Sequence, residues 1–166
     1  MAEWQVVPLG PEHVRSLAEC HIECWREAYE DLVPAHLLAA FDLEQRAAAW
    51  ERRRVQHPDA TKVAVLDGTV IGFASSGPDR DESPTAEQQL NAMYVRSAWY
   101  GTGVAHDLMR AVLPEHADTS LWVFEENPRA RAFYTKYGFE LDGARRVEAF
   151  TPAIEVRMVR RVSGRR

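Results

Sequence analysis

Cysteine is nearly missing from this chain: Cys20 and Cys24 are the only two among 166 residues. Spaced one helical turn apart, they share a face and cannot staple distant segments, so a disulfide framework is excluded and buried, reduced thiols are expected. Cys20, His21 and Cys24 lack the second, separated ligand pair that structural zinc sites draw on, and no metal is predicted. Long apolar runs are missing too. Nothing approaches the roughly 20 residues of a membrane-spanning helix, and the N-terminus has no basic, apolar and small-residue signal pattern, which predicts a cytoplasmic protein without a membrane partner. Positive charge is not in excess. A net charge of −5 argues against a nucleic-acid partner, which needs a basic surface, and suits a cationic acceptor such as an amine. No Gly-x-Ser-x-Gly nucleophile motif, internal repeat or dividing linker occurs, and one domain over residues 1–166 is expected.

The residues that are present pattern into alternating elements. Glu3 to Val7 reads as a strand, and Pro11 stands where the first position of a helix tolerates proline. Val14, Leu17, Ala18, Cys24 or Trp25, and Ala28 recur at three- and four-residue spacing, predicting an amphipathic helix to about Tyr29. After Pro34, the residues Leu37, Leu38, Phe41, Leu43, Ala47 and Trp50 predict a second helical region to about Gln56, ended by His57-Pro58. Thr61–Leu66, Asp67-Gly68 and Thr69–Ala74 form a hairpin signal, followed by a solvated loop over Gly77–Thr85 and a strand over Gln88–Val95. Gly103–Leu113 reads as helix, Ser120–Phe124 as strand, Pro128–Tyr137 as helix, and the region of Phe139–Leu141 as a strand that reaches Ile154–Val159 through a polar turn. Residues 163–166 are expected to fray.

The chemistry-bearing stretch is Leu90–Val95 followed by Tyr100-Gly101-Thr102-Gly103-Val104-Ala105 and a helix. A strand that turns through glycines into a helix start points several backbone N–H groups and the positive helix end at one place, which suits a phosphate. Gly-x-Gly alone is also what a tight turn needs. The dinucleotide fingerprint is a weaker match, since His106 stands at the place of its third glycine. A second block, Leu121–Phe139, contains Asn127, Ala130, Phe133, Tyr134, Gly138 and Phe139 at the spacing Asn-x-x-Ala-x-x-Phe-Tyr-x-x-x-Gly-Phe.

Together the two blocks resemble the GNAT N-acetyltransferase family, and Trp25–Tyr29 with Leu32-Val33-Pro34 extends the likeness toward the N-terminus. The resemblance implies an α/β fold with a mixed, mostly antiparallel sheet of about seven strands flanked by helices, and acetyl-CoA as cosubstrate for transfer to a primary amine. It implies that strands ending at Val95 and Phe124 are splayed neighbours, that the backbone at Met93, Tyr94 and Val95 bonds the pantetheine arm, and that Tyr100, Gly101, Thr102, Gly103, Val104 and Ala105 hold the pyrophosphate. Asn127 lines the thiol end, Met93 N–H is the oxyanion donor, and Tyr134 is the general acid. Trp25, Tyr29 and Gln89 lie toward the acceptor. Two positions depart from the family. Gln89 stands where many members carry a glutamate base, leaving Glu27, Glu87 or a water chain to take the amine proton, and Tyr100 replaces the usual Gln or Arg. Two other functions fit the same loop: an acyl-CoA sensor without turnover, and a nucleotide-binding interaction domain. A homodimer is the default assembly.

Overall fold

The computed structural model describes residues 3–29, 42–147 and 153–162, with Pro34 and His36. Leu32, Val33, Leu37, Leu38, Phe41 and the terminal residues 163–166 lie outside them. Strands β1 (Gln5–Pro8), β2 (Thr61–Leu66), β3 (Thr69–Pro78), β4 (Gln88–Val95), β5 (Thr119–Phe124), β6 (Glu140–Val147) and β7 (Ile154–Arg160) accompany four α-helices among the described residues: α1 (Val14–Tyr29), α2 (Leu43–Gln56), α3 (Val104–Val112) and α4 (Pro128–Thr135). The strands hydrogen-bond in the order β1-β2-β3-β4-β5-β7-β6. The β4–β5 pair is parallel, while β1–β2, β2–β3, β5–β7 and β6–β7 are antiparallel. This is the expected α/β fold with a mixed seven-stranded sheet. The chain divides into two compact units, one of Met1–Ser76 with Ala92–Val112, the other of Gly77–Asn91 with Leu113–Arg166.

In the first unit, adjacent β2 residues Val63 and Ala64 are both fully buried, so this strand is covered on both faces. Val63 pairs with Phe73 and belongs to the cluster that α1 and α2 close with Leu17, Ala18, Cys20, Cys24 and Trp50. Burying each large apolar side chain of this kind contributes about 1.5–3 kcal/mol. Ala64 pairs with Gly72 on the opposite face, where Leu108 of α3 approaches so closely that a Cβ on Gly72 would lie 3.2 Å from its Cδ1 and 3.0 Å from the Tyr94 carbonyl oxygen. Helix α3 presents Val104, Leu108, Met109 and Val112, all buried, along one stripe. Pro11 opens a 3-10 turn, Pro11–His13, ahead of α1 rather than the α-helix itself. Helix α2 starts at Asp42, whose side chain accepts from Gln45 N at 3.1 Å.

In the second unit, β5 pairs with β7 along its whole length, and its parallel ladder with β4 comprises Gln88↔Thr119 and Gln89↔Ser120. The sequence underestimated β6. Asp142-Gly143 reads as the start of a polar turn, yet the chain absorbs it as an irregularity within the strand. Gly143 takes φ +93°, Asp142 Oδ1 accepts from Ala144 N at 3.0 Å, and the register with β7 shifts between Leu141 and Arg145. Every β6 residue but one is exposed, so no alternation marks it as strand. Likewise β3 runs on to Pro78, beyond the predicted end at Ala74.

Candidate functional site

In the first unit, β4 ends in a corner that is fixed before the glycine loop begins. Arg96 N donates to the Ile71 carbonyl at 2.9 Å, and the 3-10 turn Ser97–Trp99 follows. The Glu27 carboxylate, from the last turns of α1, receives four donors here: Arg96 Nε at 3.1 Å, Arg96 Nη2 at 3.4 Å, Ser97 N at 3.0 Å and Ser97 Oγ at 2.7 Å. Burial would raise the Glu27 carboxyl, but these donors outweigh it and hold it below its ordinary value. Both oxygens are therefore committed to bracing the corner, an arrangement opposite to that of a proton acceptor poised near neutral pH.

Beyond the corner, Tyr100 N donates to Ser97 O at 3.1 Å, and the Thr102 hydroxyl donates to Trp99 O at 2.6 Å. Gly101 and Gly103 take φ +76° and +101°, the left-handed region in which a side chain is strained. Asp107 N donates to Gly103 O at 3.0 Å as the first rung of α3, so the N–H groups of Gly103, Val104 and Ala105 stand ahead of the helical ladder. The loop thus presents backbone donors at the positive end of a helix, which is the chemistry of an anion cradle.

On the α1 side of β4, Tyr94 is half-buried and lies 5.6 Å from His21, 5.5 Å from Phe73 and 6.4 Å from Trp25, ring to ring. His21 Nδ1 accepts from Trp50 Nε1 at 3.0 Å, and burial, with a smaller contribution from Arg46, pushes this imidazole down to about 3. His21 is a neutral, half-buried imidazole set against the rings of Trp50, Phe73 and Tyr94. Cys20 and Cys24 Sγ atoms sit 3.8 Å apart and buried; their mutual hydrogen bond and burial push the Cys24 thiol up, making it inert. Trp25 is half-buried on α1; the side chain of Tyr29, one turn on, lies outside what the structure describes.

The second unit holds Gln89, Asn127 and Tyr134. Asn127 caps α4, its Oδ1 accepting from Ala130 N at 3.2 Å with Pro128 following, so the motif asparagine is first a helix-start residue. Tyr134 is 8% exposed and packs its ring against Phe133 and Phe139 at 5.6 and 6.0 Å. Gln89 is buried in a polar network: its Nε2 donates to Asp81 Oδ1 at 3.0 Å and Asp79 Oδ1 at 3.4 Å, while its Oε1 accepts from Asn91 at 3.2 Å. Asp79 also accepts from Ser120 Oγ at 2.9 Å and from the N–H groups of Asp81 and Ala86. Asp81 accepts from Trp122 Nε1 and Arg157 Nη1; burial would raise it, but these donors and Gln89 hold its carboxyl below the ordinary range. The Gly77–Thr85 segment is therefore not simply solvated, because two of its acids serve as inward ligands. Its charge and prolines gave the sequence no means of telling inward acids from outward ones. Arg96, Asp79 and Asp81 were all missed as determinants of the site.

Among the described residues no group of three or more His, Cys, Asp or Glu side chains could hold a metal ion, and no helix is long and apolar enough to cross a membrane.

A profile of the Acetyltransferase (GNAT) family matches residues 15–139. The N-acetyltransferase YuaI of Bacillus subtilis is 28% identical over 148 residues, which span 81% of this chain and 83% of that protein. The L-amino acid N-acetyltransferase AaaT of Escherichia coli is 33% identical over 103 residues, 57% of this chain and 62% of its own. A structure of yncA from Salmonella typhimurium, described as a putative acetyltransferase with its cofactor acetyl-CoA, shares the fold at a TM-score of 0.71 and 16% identity, covering 99% of this chain and 96% of that one.

Proposed function

The chain belongs to the GNAT family of acetyltransferases, and on that premise we propose that it moves the acetyl group of acetyl-CoA directly onto a primary amine of a small molecule or peptide. Acetyl-CoA is the cosubstrate of this family. One observation carries the assignment of the site: a braced strand corner leads through two left-handed glycines into the open N–H groups at the start of α3. The nucleotide-binding alternative is set aside by the family. Residues 1–166 act in this proposal as one GNAT domain, since the family match runs through both compact units.

In this reading the backbone at Met93, Tyr94 and Val95 bonds the pantetheine arm, the Tyr100–Ala105 loop holds the pyrophosphate through the N–H groups of Gly103, Val104 and Ala105, and Asn127 lines the thiol end. A thioester is already activated, so no protein nucleophile is required. Met93 N–H meets the negative charge that develops on the carbonyl oxygen; as the C–N bond forms and the C–S bond breaks, the Tyr134 hydroxyl gives its proton to the departing thiolate, and the proton shed by the attacking nitrogen restores the phenol through solvent. Trp25 and Tyr29 face the acceptor. Gln89 shapes the acceptor side and moves no proton, since an amide is not a base at neutral pH. Glu27, the candidate base from sequence, takes the bracing role, and the amine loses its proton to solvent. An aliphatic amine is then about 0.1% neutral at pH 7, and kcat/KM should rise about tenfold per pH unit up to pH 9.

The test is thiol release from acetyl-CoA across a panel of amines headed by L-amino acids, on which AaaT acts by its name, with polyamines, aminoglycosides and peptide N-termini behind them. Tyr134→Phe should lower kcat about 100-fold while the KM for acetyl-CoA holds. An unchanged kcat would remove the acid role from Tyr134. Binding of acetyl-CoA without thiol release for any amine would replace the enzyme reading with the sensor reading.

A further inference from the structure

One residue outside the glycine loop contacts residues on either side of it, Trp99 and Asp107, and lies beside Gly103. Trp4, ahead of β1, donates from Nε1 to Asp107 Oδ2 at 2.8 Å. Its ring meets that of Trp99 edge-on, with centroids 6.1 Å apart and planes at 76°. Its Cζ2 is the atom that a Cβ on Gly103 would meet, at 3.8 Å. Trp99 is the residue whose carbonyl anchors Thr102, Gly103 is the residue that precedes α3, and Asp107 is the acid in the first turn of that helix.

Asp107 poses a problem for a phosphate-binding helix start. The positive end and open N–H groups that attract a phosphate attract a first-turn carboxylate equally. Short acidic side chains fold back readily onto nearby backbone donors. An unrestrained Asp107 would therefore be an internal competitor for Gly103, Val104 and Ala105 N–H. The indole N–H of Trp4 gives that carboxylate another donor and fixes where it points.

We propose that Trp4 is a positioning residue for the phosphates of acetyl-CoA: it holds the Asp107 carboxylate off the α3 N-terminus and backs the glycine turn. This rests on the reading of the loop as the pyrophosphate site. The role belongs to the N-terminal segment, outside both family motifs, and it acts on affinity rather than on the chemical step.

The test is calorimetric titration of acetyl-CoA into wild type, Trp4→Phe, Asp107→Asn and the double variant, with kcat measured alongside on the best amine. Phenylalanine keeps a ring against Trp99 and Gly103 but cannot donate a hydrogen bond. The expected result is a Kd raised about fivefold in Trp4→Phe with kcat unchanged, and recovery to within about twofold of wild type in the double variant, where no carboxylate competes. A merely structural tryptophan would not be rescued by removing a charge elsewhere. Wild-type affinity in Trp4→Phe, or a double variant as weak as Trp4→Phe, would overturn the inference while leaving the function intact. A wild-type protein that binds no acetyl-CoA would overturn the reading of the loop and this inference together.

Discussion

The two ends of β4 are held by opposite means. The Gln89 end is fixed by side chains: Gln89 lies among Asp79, Asp81 and Asn91, and the two aspartates in turn gather Ser120, Trp122 and Arg157. The Val95 end is fixed through backbone: Arg96 N reaches Ile71 O, Ser97 N reaches Glu27, and the following loop bonds to itself through Ser97 and Trp99 carbonyls. A strand end that must offer its own N–H groups to a ligand has to be braced from outside, by a carboxylate on another element. A strand end that offers none can spend its side chains on a closed network. The difference separates the proposed cosubstrate edge from a side-chain network on the proposed acceptor side within eight residues.

Breaking the Gln89 end should have the largest effect on stability. Asp79→Ala removes the acceptor of Ser120 Oγ and of two backbone N–H groups and the longer of two acceptors of Gln89 Nε2, and should cost about 3 kcal/mol in a denaturant titration. The KM for acetyl-CoA of the folded fraction should stay within twofold of wild type; a large rise in KM would mean that the two ends are not separate in function.

The packing behind the binding edge has a pH signature. His21 is ordinarily half-protonated near 6.5 and is pushed down to about 3 here, so the unfolded chain takes up a proton that the folded one refuses. Its contribution to stability is complete above pH 6.5 and is lost at about 1.4 kcal/mol per pH unit as the pH falls toward 3. His21→Asn, which keeps an acceptor for Trp50, should flatten that slope in melts between pH 7 and 4.5. An unchanged slope would assign the acid sensitivity to other groups.

Loosening the Val95 end should be the mildest change. Glu27→Gln keeps a partner for Ser97 but loses the charge facing Arg96, and should raise the KM for acetyl-CoA about threefold with kcat held. A hundredfold fall in kcat would return Glu27 to the role of base.

Legibility followed the same division. The local geometry of the proposed binding edge could be read because it imposes residue types locally: Gly101 and Gly103 suit left-handed turns, and Asn127-Pro128 suits the start of α4. What braces that edge could not be read, because Glu27 lies 69 and 70 positions from Arg96 and Ser97 and Trp4 lies 103 from Asp107, and nothing local in either residue names its partner. The Gln89 network was hidden in a segment whose prolines and charges look solvated. Strand β6 was cut short because Asp142-Gly143 has the composition of a turn, and only its register with β7 reveals an interrupted strand.

The most direct measurement is a thermal-shift titration of the purified protein with acetyl-CoA, ATP and NAD in parallel. A ligand that binds the native state raises the melting temperature by mass action, by the equivalent of about 2.7 kcal/mol at 100 times its Kd. Selective stabilisation by acetyl-CoA is the predicted result; equal or greater stabilisation by ATP or NAD, or no shift at millimolar acetyl-CoA, would contradict the assignment of the glycine loop to the cosubstrate.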